Sequence, residues 1–484
     1  MYTSTRTGPA LPGMYFSRAL LAGMAWDGGL YMPAAYPTPI EAPAWRFMAY
    51  SELVFRVLRR FARGTCRTLL RSVCRTAYRR GFGCADSNGG ARDAVGASWI
   101  SGRIYLGGLS WGPSLSFKDL AMQALGVAFA CVVLRHYHIV GATSGDTGGA
   151  ACRAIAGSRK VGLLVLSPAG GVSAFQAEQM YGTMAGNVVN ACLHGGFDCC
   201  QDVVKALLGM RRRDVGTANS INLSRLLLQS AYYLALRERL VTWPGERFCY
   251  HIPSGNFGNT FACHMAMICC TQGFHATVAT NENNVLDCFL KGGVCVPRST
   301  AVVKRTTAPS MDISWASNID RLLYDVLGRS GSMAGRAARA RCNSAAWVLL
   351  AHASHRCLRS CAVSSDASLH VERSMLVELM YRRHGVAVDT HTAAALKSAM
   401  LAARGDVQVA LETARDVKLK AELHGSYGNC YRHAVPRRAR HARHVRPACA
   451  HVRRLLGIPA GAWSAQAPSV NDWTAPGKGA VRGR

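Results

Sequence analysis

The chain has 484 residues, which is enough for roughly two to four domains around a sizeable core. Hydrophobic residues make up 49% of it, and this composition excludes wholesale disorder. Lys and Arg number 57 against 27 acidic residues, giving a formal net charge of +30. Such a charge favours anionic partners, namely phosphorylated metabolites, nucleic acid or acidic surfaces.

The residue pattern gives no indication of a membrane protein or of a cysteine-based metal site. The longest apolar run, Ala124 to Leu134, is too short to span a bilayer, and the N-terminus lacks the pattern of a signal peptide. The 19 Cys include no C-x-x-C pair, so neither a zinc ribbon nor a thioredoxin-like site is indicated. We therefore expect no membrane association and no metal site.

The first strongly periodic segment covers residues 52–80, whose apolar positions predict a helix. Its arginines recur at every fourth position and form a basic stripe, which consists of Arg67, Arg71, Arg75 and Arg79. We interpret the stripe as a solvated helix face. Nucleic-acid contact is the weaker alternative, because no aromatic residues interleave with the arginines to stack on bases.

From about residue 100 to residue 290, short apolar strands alternate with longer helical stretches. Ile139-Val140, Val161 to Leu166 and Phe248 to Ile252 have the composition of strands, and each precedes a glycine-rich turn. This alternation predicts an α/β fold with mostly parallel sheets. Ligands of such sheets bind beyond the carboxyl ends of the strands, so the turns there are the candidate site.

Lys118 is the first candidate, in the segment Gly112 to Asp119 that leads into a helical run. A lysine in an enclosed apolar site has a lowered pKa and can form a Schiff base. Taken alone, a lysine beside an aspartate is more often a surface pair. The interpretation therefore depends on the other segments.

Two glycine-rich turns, Gly141 to Gly149 and Pro253 to Asn259, each connect a strand to a helix. Backbone N–H groups at a helix N-terminus bind carboxylates or phosphates, and Gly255 and Gly258 allow the backbone to curl around a phosphate. Ordinary turns are the alternative. Two such turns together with the Lys118 segment favour an anion-binding site.

A further segment, Asn219 to Arg225, could bind a second phosphate through Asn, Ser and Arg side chains. The alternative is helix capping by Ser220 or Asn222 together with a surface arginine. Near the C-terminus, no acidic residue occurs from Leu423 to Asn471 while arginines cluster, which predicts a basic tail.

The order and spacing of these motifs resemble the threonine synthase family, from the N-terminus to about residue 425. The matching segments are Tyr2 to Arg6, Ser17 to Met24, Asp27 to Pro33, Gly112 to Asp119, Ala142 to Gly148, Gly196 to Asp202, Asn219 to Arg225, Ser254 to Gly258, Ala279 to Asn283, Pro309 to Asp312, Ser317-Asn318 and Asp389 to Ala393. The resemblance implies the pyridoxal-phosphate (PLP) fold type II, with two open parallel-sheet α/β lobes and the cofactor between them. An N-terminal extension and a basic C-terminal tail would complete the chain.

The domain division implied by this resemblance has four parts. Residues 1–100 would form the N-terminal extension, 101–215 the lobe with the PLP lysine and the carboxylate-binding loop, 216–425 the lobe with the PLP-phosphate loop, and 426–484 the tail.

The resemblance also implies roles for single residues. Lys118 would hold PLP as a Schiff base and move protons, Thr413 would reach the pyridine nitrogen, and the cofactor phosphate would lie against Gly255, Asn256, Phe257 and Gly258. The substrate carboxylate and the cofactor ring would face Ser144, Gly145, Asp146 and Thr147. The substrate phosphate would be held by Asn219, Ser220 and Arg225. A neutral hydroxyl at Thr413 would leave the ring nitrogen largely unprotonated and so limit side reactions.

The implied reaction converts O-phospho-L-homoserine and water to L-threonine and phosphate, which makes the protein a carbon–oxygen lyase of amino-acid biosynthesis. Alternatives are another fold type II PLP lyase, such as a threonine/serine dehydratase or a phospho-amino-acid lyase, and an inactive copy whose basic segments bind nucleic acid. Asn219, Ser220 and Arg225 discriminate against a dehydratase, which has no phosphate to bind. We expect a cytoplasmic monomer or homodimer that binds neither membrane nor nucleic acid.

Three departures from the family pattern bear on activity. Trp111 stands where the family has His and could alter the wall near the cofactor, and Arg415 stands where an imidazole would lie close to Thr413. Ala169, Gly170 and Gly171 replace basic residues of the usual pattern.

Overall fold

The computed structural model describes residues 1–414, apart from 9–12, 40–44, 46–47, 80–81, 83–93, 211, 213, 244, 270–272, 296–301, 332–346, 349–361 and 403–404. The predicted tail at 426–484 and the substitution at Arg415 therefore lie outside the described residues. Within the described part of the chain, no helix combines the length and low polarity needed to cross a bilayer.

The N-terminal region contains two short strands and three helices, in the order β1 (Tyr2–Ser4), α1 (Phe16–Ala22), β2 (Tyr31–Pro33), α2 (Tyr50–Phe61) and α3 (Arg67–Arg79). The single helix expected over 52–80 is thus two helices. Gly64 in the connection has a φ of +85°, a conformation that helical residues do not adopt. The basic stripe lies on the exposed face of α3, as expected, and Arg71 pairs with Glu52 over 2.9 Å.

The next region alternates strands and helices in the order β3 (Gly96–Ser101), β4 (Ile104–Gly108), α4 (Asp119–Val132), β5 (Tyr137–Ala142), α5 (Asp146–Ile155), β6 (Val161–Pro168), α6 (Ala174–Tyr181), β7 (Val188–Leu193), α7 (Phe197–Gly209) and β8 (Val215–Thr217). Four of these strands form a parallel sheet of order β7-β6-β5-β8. Helical crossovers allow this parallel pairing, because each helix carries the chain back to the end of the sheet at which the preceding strand began.

The remaining elements are α8 (Leu223–Leu240), β9 (Phe248–Pro253), α9 (Gly258–Ile268), β10 (Phe274–Thr280), α10 (Val285–Gly292), β11 (Val294–Cys295), a 3-10 turn (Pro309–Met311), α11 (Ile319–Val326), β12 (Trp347–Val348), β13 (Val363–Ala367), α12 (His370–His384), α13 (Thr390–Leu401) and β14 (Val407–Leu411). The second main sheet has six strands in the order β13-β10-β9-β14-β4-β3, all parallel except the β3–β4 pair.

Two open, mainly parallel sheets with helices around them confirm the predicted α/β fold class. Strands β3 and β4 precede the four-stranded sheet along the chain but pair within the six-stranded one, so the chain passes between the two sheets. The domain boundaries at 101, 216 and 426 stay a prediction.

Helix α8 forms the centre of the molecule and is buried from Leu223 to Glu238. It packs against α2, α4 and α9, so residues on all of its faces are buried, including the charged side chain of Arg225. Asn222 caps it by accepting a hydrogen bond from the Ser224 N–H over 3.1 Å, and the Asn222 amide donates to the Leu20 carbonyl over 2.8 Å. The N-terminal region therefore fixes the start of the helix that carries Arg225.

Candidate active site

Loops at the carboxyl ends of strands from both sheets surround one cavity of about 90 Å³. The predicted residues in its wall are Lys118, Ser144, Asp146, Thr147, Asn219, Ser220, Arg225, Gly255, Asn256, Phe257, Gly258 and Thr413. Gly145 is the exception. It lies at the N-terminal end of α5, where its N–H donates to Thr143 Oγ1 over 2.9 Å.

Lys118 extends into this cavity from the start of α4, and only 12% of its side chain is exposed. Its Nζ lies 3.4 Å from Asp146 Oδ2, and Asp146 Oδ1 accepts a hydrogen bond of 2.8 Å from Gln176 Nε2. The Phe117 N–H donates to the Thr413 carbonyl over 3.0 Å, which ties the lysine loop to the end of β14. Asp146 thus holds the amine from one sheet, while the backbone of the lysine loop is fixed by the other.

The loop from Gly255 to Gly258 is shaped by close approaches that only glycine permits. A Cβ at Gly255 would lie 2.2 Å from the Ser310 carbonyl oxygen, and one at Gly258 would lie 2.9 Å from Ser220 Cβ. Phe257 has a φ of +59° and precedes α9, whose first N–H groups have no acceptor within the helix. The loop therefore presents free backbone donors to the cavity, as an anion site requires.

Buried polar atoms near this loop lack a hydrogen-bond partner among the described residues. They include Ser254 Oγ, Asn256 Oδ1 and Ser310 Oγ. Leaving such atoms without partners costs free energy in a folded protein, so they are expected where a polar ligand completes the site. These residues fit a phosphate-bearing cofactor.

Arg225 is a buried cation in the wall, with 4% of its surface exposed. Its guanidinium donates to the Ala218 carbonyl over 3.1 Å and to Thr147 Oγ1 over 3.4 Å, while Nε has no partner in the described part of the chain. No described carboxylate forms an ion pair with it. Burial lowers the pKa of Arg225 to about 10, so the group stays charged at neutral pH. A buried unpaired cation beside a cavity indicates a site for an anion.

Asn219 and Ser220 are already engaged within the fold. The Asn219 side chain accepts from the Ala142 N–H over 2.9 Å and donates to the Ala142 carbonyl over 2.8 Å. It thereby links β5 to the loop after β8. Ser220 Oγ accepts a hydrogen bond of 3.1 Å from Asn318 Nδ2, and Ser220 also lines the cavity. Asn222 is the residue that caps α8; the sequence analysis had named Ser220 and Asn222 as the two candidates.

Thr413 belongs to a buried network centred on Asp389 at the start of α13. The Thr413 hydroxyl donates to Asp389 Oδ1 over 2.7 Å, and the Thr392 hydroxyl donates to the same oxygen. Oδ2 accepts from His391 Nδ1 over 2.7 Å, and His391 Nε2 accepts from the Ser310 N–H over 3.2 Å. Burial raises the pKa of Asp389, but the hydrogen bonds from His391, Thr392 and Thr413 outweigh it and hold this pKa below its usual value.

Asp389 is therefore expected to stabilise the protein in a pH-dependent way. Because its folded pKa lies below the unfolded value of about 3.9, the contribution is present above that pH and lost as pH falls through the folded pKa. Asp389→Asn should lower the free energy of unfolding at pH 7 by about 1.5–3 kcal/mol, the usual worth of a charged hydrogen bond. Denaturant titrations at pH 7 and pH 3 check this. A deficit equally large at both values would contradict it.

Two of the three departures from the family pattern lie within the described residues. Trp111 is half-buried and lies outside the residues that line the cavity, and its effect on the wall near the cofactor stays a prediction. Ala169, Gly170 and Gly171 line a second, larger cavity of about 940 Å³ that shares Ser144 and Phe197 with the first. Lys304 and Arg305 also line the larger cavity. Cationic side chains are therefore still present near the 169–171 loop, which has lost the basic residues of the family pattern.

Two further residues of the site received no role from the sequence. Gln176 orients Asp146, and the capping box of Ser173 and Gln176 at the start of α6 was the signal that could have revealed it. His391 lines the cavity beside Thr413 but was noticed only as part of a motif. In the described part of the chain, no cluster of three His, Cys, Asp or Glu residues is placed to hold a metal ion.

Comparisons with known proteins show which family this chain resembles. The family description "Threonine synthase N terminus" matches residues 1–78. A threonine synthase from Methylobacillus glycogenes is 36% identical over 452 residues, covering 88% of this chain and 92% of that protein.

Solved structures give the same result over most of the chain. A PLP-bound threonine synthase from Brucella melitensis superposes with a TM-score of 0.77 at 32% identity, covering 86% of this chain and 89% of that one. Yeast threonine synthase superposes with a TM-score of 0.78 at 26% identity, covering 90% and 92%. The chain therefore belongs to the threonine synthase family.

Proposed function

We propose that the protein is a threonine synthase, a PLP-dependent lyase that converts O-phospho-L-homoserine and water to L-threonine and phosphate. The proposal rests on the set of residues that line one cavity. An enclosed lysine, a glycine loop at a helix N-terminus and a buried arginine without a carboxylate partner all line it. These are the groups that a cofactor aldehyde, a cofactor phosphate and a substrate phosphate require.

PLP, when bound, would supply the electron sink that stabilises negative charge on the substrate carbons. Lys118 would hold it covalently, and the loop from Gly255 to Gly258 would surround its phosphate. Thr413 lies in the cavity wall after β14, the strand that pairs with β9 ahead of this loop, and would meet the ring nitrogen. The smaller cavity holds these groups, and a longer ligand would extend past Ser144 into the larger one.

The substrate's two anionic groups have separate binding partners in this proposal. Ser144 and Thr147 flank the N-terminus of α5, which suits the carboxylate. Arg225 would receive the phosphate together with Ser220 and the remaining N–H of Asn219. A dehydratase has no use for this second anion site, so Arg225 favours threonine synthase over that alternative.

Lys118 is the residue best placed to move protons. Of the titratable side chains in the described wall, Asp146 is engaged by Gln176, His391 is engaged by Asp389 and Ser310, and Arg225 stays charged. A positioned amine can serve several transfers in one catalytic cycle. Asp146, 3.4 Å from Nζ, stabilises the protonated amine between transfers.

Gly255→Ala is expected to weaken cofactor binding. The new Cβ would meet the Ser310 carbonyl at 2.2 Å, so the loop must shift, at a cost of about 1–3 kcal/mol. A matching 5- to 150-fold rise in the Kd for PLP is expected in a fluorescence titration, since 1.4 kcal/mol is about tenfold. Gly273→Ala is the control, because nothing lies within 4 Å of its Cβ position. Equal PLP affinity in both variants would contradict the assigned loop.

The proposal is tested first by the absorption spectrum of purified protein with added PLP. A Schiff-base band that changes with O-phosphohomoserine and is absent in Lys118→Ala supports it. A wild-type protein without such a band would favour the inactive-copy alternative. Deamination of threonine without any turnover of O-phosphohomoserine would favour a dehydratase.

We also propose a cytoplasmic monomer or homodimer without a nucleic-acid partner. The eleven cysteines whose side chains the structure describes are free thiols, which is typical of a reducing compartment. Fractionation and analytical ultracentrifugation test the location and the oligomeric state.

A further inference from the structure

Arg321, in the first turn of α11, is a second buried arginine beside the segment from Asn219 to Arg225. The partners of its side chain among the described residues are oxygen atoms of neutral groups, namely three backbone carbonyls and one amide. Burial lowers the pKa of Arg321 to about 9, so the group stays charged at neutral pH. A buried cation without a counter-charge costs stability, and this cost falls when an anion binds nearby.

The guanidinium of Arg321 fixes the backbone between β8 and α8. Its Nη1 donates to the Ser220 carbonyl over 3.1 Å, and its Nη2 donates to the Ile221 carbonyl over 2.6 Å. Nε donates to the Tyr31 carbonyl of β2 over 3.2 Å, which holds the guanidinium itself in place. Arg321 therefore supports, from outside the cavity wall, the segment through which Ser220 reaches that wall.

Arg321 also sets the direction of a short hydrogen-bond chain that ends at Ser220. Its Nη1 donates to Asn318 Oδ1, and because a guanidinium cannot accept, the amide oxygen must face Arg321. The amide nitrogen then faces Ser220 Oγ over 3.1 Å, and Ser220 accepts in this contact because an amide NH2 group only donates. The hydrogen of the Ser220 hydroxyl is thereby left for another acceptor, such as a phosphate oxygen.

We infer that Arg321 is a positioning residue of the substrate-phosphate site, which fixes the Ser220 segment, keeps the Ser220 hydroxyl a donor and adds a positive charge behind it. The inference rests on the proposed function, in which Ser220 and Arg225 receive the substrate phosphate. Arg225 holds the same segment from α8 by donating to the Ala218 carbonyl over 3.1 Å. Two buried guanidinium groups thus support one loop, and both favour a negative charge bound against it.

Asn318→Asp tests the inference without removing Arg321. The new carboxylate keeps the contact with Arg321 and adds a counter-charge, so the fold should be retained. Its second oxygen can only accept, so it takes the Ser220 hydrogen and places a negative charge beside the site. The Kd for inorganic phosphate, measured by calorimetry on PLP-saturated protein, is expected to rise about tenfold or more, the usual worth of a hydrogen bond to a charged group.

Arg321→Met and Arg237→Met complete the set of variants. Arg321→Met removes both the charge and the first donor of the chain, so a similar rise in the phosphate Kd is expected. Arg237 is also buried but lies about 18 Å along α8 from Arg225, and its removal should leave the phosphate Kd unchanged. The Kd for PLP is measured in every variant, because the Asn318 amide also donates to the Asn256 carbonyl over 2.9 Å.

Asn318→Asp decides the matter if Arg321→Met does not fold. A phosphate Kd within twofold of wild type in Asn318→Asp, or in folded Arg321→Met, overturns the inference and leaves the proposed function standing. An equal loss in Arg237→Met also overturns it, because the loss would then report on folding. A wild type that binds PLP but no phosphate overturns the second anion site and the inference with it, and a wild type that binds no PLP overturns the proposed function.

Discussion

Replacing Lys118 by alanine is expected to lower kcat/KM for O-phosphohomoserine by about 10³-fold or more. Proton transfer by one positioned group contributes about 10²–10⁴-fold, and this lysine would also anchor the cofactor. The side chain lies in the cavity wall, where its Nζ pairs with Asp146. We therefore expect the unfolding temperature to change little. Phosphate release and threonine formation, measured together, give the rate.

Lys291→Ala is the matched control for this loss. Lys291 is 60% exposed, lies on α10 and pairs with Asp287 over 2.8 Å, so its removal should leave turnover unchanged. Turnover of Lys118→Ala within tenfold of wild type would contradict the assignment of Lys118. Parallel losses in both variants would show that the assay reports folding.

Arg225→Met is expected to bind substrate poorly yet fold at least as stably as the wild type. Arg225 is buried without a carboxylate partner, and keeping an ion out of water costs several kcal/mol. Methionine fills similar space without that cost, so the unfolding temperature in phosphate-free buffer should stay equal or rise. The lost charged hydrogen bonds should raise KM about 10- to 100-fold.

Inhibition by inorganic phosphate should weaken in parallel with KM, because the same cation would hold both anions. Arg153→Ala on the exposed face of α5 is the control. A variant that is less stable but keeps its KM would show that Arg225 serves the fold. That result would remove the strongest argument against a dehydratase.

The parts of this fold that the sequence predicts are those encoded by local patterns. Strand-to-helix turns at 141–149 and 253–259 are read from adjacent glycines and small residues, and both line the cavity. The break at Gly64 was missed because apolar periodicity continues on both sides of it. Periodicity reports which face is buried and says little about a single turn between two helices.

What the sequence could not show depends on contacts between distant segments. Strand β4 pairs with β14, where Ile104 lies opposite Gln408, and no local pattern encodes such a partner. The contact between Asp389 and Thr413 is likewise set by packing α13 against β14. Trp111 was expected at the cofactor because it occupies a family His position. Its actual place outside the wall follows from how the loop after β4 folds.

The central claim is tested most directly by incubating PLP-loaded protein with O-phosphohomoserine and quantifying both products. A threonine synthase releases phosphate and threonine in equal amounts, and neither forms in Lys118→Ala. Equimolar products that depend on Lys118 are the result we predict. Phosphate without threonine, or no turnover by a protein that has bound PLP, would contradict the account.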